Sequence, residues 1–160
     1  MTDLTCHKVR RAGDWSEPFD VCVLTFEARF LRRKVIHTLH NTAVLVDLPH
    51  TTSLEHGDAF ELTDGRLIEI SAAEEDLLAI TADRLLPIVW HIGNRHCPCQ
   101  IEGERVLIQP DHVLKDLMER LGAKVTEVRE PFTPEGGAYG HGRTHGHDHS
   151  HHHGPDHHHA

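Results

Sequence analysis

Apolar residues recur along the chain with two different periods, and the change from one to the other divides it. From Asp20 to Ala72 they come in short runs: Val21 to Phe26, Val35 to Leu39, Val44 to Leu48, Ala59 to Leu62 and Leu67 to Ile70. Breaks at His40–Asn41, Pro49, His56–Gly57–Asp58 and Asp64–Gly65 separate them, so the pattern predicts an all-β module of short strands. The acidic stretch Glu74–Glu75–Asp76 reads as a junction. Beyond it Leu77 to Thr81 predicts a strand, and Pro87, suited to a first helical position, opens a helix through Ile88, Val89, Trp90 and Ile92. Cys99 to Ile108 alternates enough for another strand or a hairpin. Asp111 then caps an amphipathic helix with Val113, Leu114, Leu117, Met118 and Leu121 on one face and Gly122 at its end, and Lys124 to Arg129 is a closing strand.

Strand, helix, two strands, helix, strand over Leu77 to Arg129 is the order of a split βαβ, ferredoxin-like unit. The expected class is α+β. A β-rich unit spans 1–73, a ferredoxin-like βαββαβ metal-binding unit spans 74–140, and 141–160 is a disordered His-rich tail. That last expectation rests on composition: ten of the eighteen histidines fall between His141 and Ala160, where the only apolar side chain is Ala160. Ordering those residues costs roughly 20 to 40 kcal/mol, with no apolar surface to offset it.

The formal charge is -9, and such acidity argues against nucleic acid, whose phosphates reward clustered Lys and Arg. The basic cluster Arg29, Arg32, Arg33 and Lys34 reads as a solvated turn. The first twenty residues lack the apolar run of a signal peptide and no stretch is long enough to span a membrane, so the expected location is cytoplasmic. Cys6, Cys22, Cys97 and Cys99 then read as thiols rather than a disulfide framework.

Imidazole is a borderline-soft donor that suits divalent nickel, copper, cobalt and zinc. The tail histidines His141, His145, His147, His149, His151, His152 and His153 are interleaved with Gly and Asp and never run beyond three together, unlike an expression tag. They make the tail a collector of such ions. Within the predicted fold, His91, His96, Cys97 and Cys99 concentrate four potential ligands in nine residues. A histidine at a helix end also serves as a partner for a carbonyl, and a lone C-x-C is weaker than paired C-x-x-C; buried thiols packed as small hydrophobes are the alternative. Asp111 and His112 form a second candidate pair, although Asp111 is first of all a cap. His7, His37, His40, His50 and His56 lack ligand spacing and read as surface or structural. Nucleotide-binding and nucleophile motifs are absent from the sequence, and the His and Cys cluster has no evident general base, which leaves a metallohydrolase the weakest reading.

The run His91-Ile92-Gly93-Asn94-Arg95-His96 with Pro98 and Gln100 resembles the urease accessory protein E family, nickel metallochaperones of urease maturation. So do Asp111-His112-Val113-Leu114 and Pro131-Phe132-Thr133-Pro134-Glu135, with Gly137-Ala138-Tyr139-Gly140 leading into the tail. Leu54, Gly57–Asp58 and Asp64–Gly65 through Ala72–Ala73 match as well, so the resemblance runs from about Thr25 to the end. It implies a homodimer, not an enzyme, in which His96 of each subunit meets its counterpart and binds one nickel ion, with the tail adding ligands. It implies an N-terminal unit similar to a peptide-binding chaperone module. It also implies handover of nickel to the urease accessory GTPase and the urease apoprotein. His91 matches a position near the metal, and His112 one of peripheral binding whose neighbouring histidine is Pro110 here. Cys97 and Cys99 lie outside the family pattern. The competing reading is a general divalent-metal buffer in which the body only carries the tail.

Overall fold

The computed structural model describes residues 4–136; the expectations for His141 to Ala160 lie outside that range. Its first part is strands alone: β1 (Leu4–Arg10), β2 (Asp20–Leu24), β3 (Phe30–His37), β4 (Ala43–Ser53), β5 (Ala59–Leu62) and β6 (Leu67–Ala72). They form one mixed sheet in the order β2-β6-β5-β1-β4-β3. Inward residues of every strand, among them Cys6, Cys22, Ile36, Val44, Val46, Phe60, Ile68 and Ile70, share one core. The alternation of β6, with Ile68, Ile70 and Ala72 inside, is what one buried sheet face demands.

A single residue, Ala73, separates β6 from β7 (Glu74–Thr81), so the acidic junction is itself the start of a strand. There follow α1 (Leu85–Asn94), β8 (Cys99–Ile101), β9 (Val106–Ile108), α2 (His112–Arg120) and β10 (Lys124–Pro131). The second sheet runs β10-β7-β9-β8, antiparallel throughout. Both of its faces are covered. Leu78, Ile80, Val106 and Ile108 meet Ile88 and Ile92 of α1 and Leu114 and Met118 of α2, while Leu77, Ala79 and Leu107 on the opposite face meet Phe26 and Phe132. That double burial explains why Leu77 to Ile80 is an unbroken apolar run.

Several sequence expectations shift. β1 carries no expectation at all, yet it lies between β5 and β4. Its inward residues are Leu4, Cys6 and Val9, because a bulge between Cys6 and Lys8 moves the phase by one residue. The basic cluster is not one solvated turn: Arg29 ends the turn 26–29 but is only 2% exposed, and Arg32, Arg33 and Lys34 lie in edge strand β3. Pro87 falls in the third position of α1, still within the turn that has no intrahelical donors to lose. On α2 only Leu114 and Met118 are fully buried, with Val113 and Leu121 exposed.

Arg29 joins the two sheets. Its guanidinium donates to the carbonyls of Leu24 and Leu54 in the first part and of Phe132 after β10. The Phe26 ring packs edge-on against Phe132 at 5.4 Å, and the Phe26 amide donates to Glu75 at 2.9 Å. Burial draws the guanidinium below the usual arginine range, opposed by the charges of Glu75 and Glu55.

Candidate metal centre

α1 and α2 end alike. After α2, the Gly122 amide donates to Glu119 and the Ala123 amide to Met118, with Gly122 at φ 89°, the left-handed closure that glycine tolerates best. After α1, the His96 amide donates to Gly93 and the Cys97 amide to Ile92, but the left-handed position, φ 55°, is held by His96. A side chain there costs about 1 kcal/mol relative to glycine. The geometry swings the imidazole off the helix end, and His96 is exposed.

Cys97 occupies the next position of that motif, where an apolar contact back to the helix is usual. Its thiol packs with the cluster containing Ile92. Burial pushes it up to about 11, with the charges of Asp111 and Cys99 acting in the same direction. Cys99 is raised by burial and then by Glu135. All four cysteines are free thiols. His91 is half-buried, its ring 4.9 Å from that of Trp90. His112 opens α2 and is exposed, while Asp111 accepts from the Leu114 amide at 3.0 Å as the expected cap. Among the described residues no three His, Cys, Asp or Glu side chains converge as an ion's ligands.

His7, His40 and His56 have structural partners instead: the Asp47 carbonyl at 2.8 Å, the Asp20 carboxylate at 2.9 Å and the Ala72 amide at 3.0 Å.

The feature that sequence reasoning passed over is a second apolar face on α1. Ile88 and Ile92 cover the sheet, whereas Leu86 is 82% and Trp90 62% exposed. Leu86 and Trp90 are four residues apart and sit roughly 200° around the helix from Ile88 and Ile92, so the signal was in the spacing. A second feature is the course of 132–135. The Thr133 amide donates to the Gln100 side chain and the Glu135 amide to the Cys99 carbonyl, each at 2.8 Å, which pins the stretch before the tail against β8.

Of these candidate donors His96 and His112 are exposed on an α+β scaffold, whereas His91, Cys97 and Cys99 are half-buried. Residues 5–73 match the N-terminal domain, and residues 68–159 the C-terminal domain, of the UreE urease accessory protein. A urease accessory protein UreE of Ruegeria pomeroyi is 62% identical over 139 residues, covering 87% of this chain and 93% of its own. One from Cereibacter sphaeroides is 52% identical, with 90% and 80% covered, and one from Rhodobacter capsulatus 52% identical, with 86% and 87% covered. The chain belongs to the UreE urease accessory protein family. It is an accessory protein of urease maturation and not an enzyme. Among the described residues no helix is long and apolar enough to cross a membrane.

Proposed function

We propose that this chain is a cytoplasmic nickel metallochaperone acting as a homodimer, and that His96 of each subunit supplies the central ligands for one Ni(II). The observation that carries this reading is the placement of His96: an exposed imidazole held at a strained position, at the end of a helix whose outer face exposes Leu86 and Trp90. A two-fold axis turns one histidine into a facing pair and leaves coordination positions open for exchange. His91 stands near the metal, His112 as a peripheral donor, and His141, His145, His147, His149, His151, His152 and His153 as collectors. Nickel is cargo, passed to the urease accessory GTPase and the urease apoprotein. Zinc, copper and cobalt are ions the same imidazoles accept, and Cys97 and Cys99 serve the softer ones, zinc and monovalent copper, once their protons are displaced. We read 74–140 as ferredoxin-like on its strand order, 1–73 as a peptide-binding-like β domain, and 141–160, which lies outside the described residues, as a His-rich metal-binding tail.

Substituting Trp90→Glu together with Leu86→Glu tests the pairing. The account expects monomers by light scattering and loss of the tight nickel site together; a monomer that keeps the tight site contradicts it.

A further inference from the structure

β10 and β8 are the opposite edges of the second sheet. β10 ends at Pro131, paired with Glu74 of β7. Two residues later the Thr133 amide donates to Gln100 Oε1 on β8, and the Glu135 amide to the Cys99 carbonyl, each at 2.8 Å. Residues 132–135 therefore strap the sheet from one edge to the other. They pass over the face away from the helices, where Phe132 is fully buried with Leu77, Ala79 and Leu107. Three strand spacings of about 4.8 Å come close to the full reach of four extended residues at roughly 3.3 to 3.6 Å each. Pro131 and Pro134 fix their own φ, and Thr133, standing before Pro134, is biased to extended backbone, so the sequence itself straightens the strap.

The strap is fastened at both ends. Upstream, Arg29 donates to the Phe132 carbonyl and Phe26 packs edge-on against the Phe132 ring. Downstream, the Gln100 side chain is held from two sides: Oε1 accepts from Thr133, and Nε2 donates to Glu102, whose carboxylate also accepts from Arg105. The crossing changes where the chain leaves the sheet. A chain running on past Pro131 along β10 would depart from the edge opposite β8. Strapped, it departs beside Cys99, three residues from His96 at the end of α1. The ten histidines of 141–159 follow Glu135 in the sequence, the first of them six residues on.

We propose that Gln100 is a positioning residue for nickel handling: by clipping the strap to β8 it sets the root of the His-rich segment on the sheet edge that carries His96, and so raises the concentration of tail imidazoles at that ligand. Fixing where a linked donor starts changes its effective concentration at a site without adding any contact to the ion. The proposal rests on the nickel reading above and adds to it the side chain that aims the tail.

The test measures nickel affinity at substoichiometric metal, by competition with a chelator. It compares the full chain with a full-length chain whose ten tail histidines are replaced by asparagine. Gln100→Ala should weaken the tight site about three- to tenfold in the first and leave the second unchanged, because only the first has donors to misplace. Pro134→Gly, which slackens the strap and leaves Gln100 in place, should give the same selective loss. Equal loss in both chains would make Gln100 a support of His96 itself, and no loss in either would leave the strap without a part in metal binding; each overturns the proposal. So does a parent chain that binds nickel no more tightly than its asparagine version, a result that leaves the His96 site standing. Absence of a tight nickel site from every chain is the separate failure of the nickel reading, and the proposal falls with it.

Discussion

Two helices in this chain close with the same pair of hydrogen bonds, one on Gly122 and the other on His96. Conformational cost falls on His96, and the ligand role of that side chain is what would repay it. His96→Gly should therefore stabilise the fold by about 1 kcal/mol in urea unfolding while removing the tight nickel site. A loss of stability, or retained tight binding, would contradict this. The histidine's position at a helix end was legible in the sequence; its left-handed backbone was not, because the eye looks for glycine there. Cys97 was legible as a potential ligand, yet its place beside Ile92 also gives it a packing role that spacing does not reveal. Cys97→Ser with Cys99→Ser should leave nickel affinity unchanged and weaken zinc, measured by competition in a chain ending at Gly140. Parallel loss for both metals would place the thiols in the nickel set.

Among the elements, strands were read best where their alternation is unbroken, as in β6, and worst where a bulge interrupts it. In β1 the inward residues are spaced by two and then by three, and in β3 four exposed residues separate Leu31 from Ile36. Neither looks like period two, although both strands pair in the sheet. The turn after β3 is tied to β2 by hydrogen bonds to Asp20. Asp20 at the start of β2 is buried, which by itself would raise its pKa, but hydrogen bonds from Thr38, His40 and the Val21 amide outweigh that and hold it below the usual carboxylate range. A depressed carboxylate contributes stability above its unfolded pKa and loses it as pH falls through the folded value. Asp20→Asn should thus be less stable at pH 7 and show a smaller further loss below about pH 4. An unchanged acid limb in urea titrations from pH 7 to about pH 3 would refute the assignment.

At the scale of the molecule, the two sheets are joined through one buried cation. Arg29→Met removes the guanidinium from the Leu54 and Phe132 carbonyls and from the Leu24 carbonyl, which keeps the Ala73 amide, and should cost about 2 to 4 kcal/mol. Trp15 and Trp90 report on the first and second parts separately; in single-tryptophan variants their unfolding curves should coincide in the parent and separate in Arg29→Met. Coincident curves in both would show that the junction does not couple the parts. The sequence announced the family and the α+β class through local motifs. It concealed this joint because Arg29 and Phe132 lie 103 residues apart. The central claim is that nickel is shared between two chains at His96. Equilibrium dialysis of a chain ending at Gly140 measures it most directly: the account predicts one tight nickel for every two chains, abolished by His96→Ala with folding intact, whereas one tight nickel per chain, or a site indifferent to His96→Ala, would contradict it.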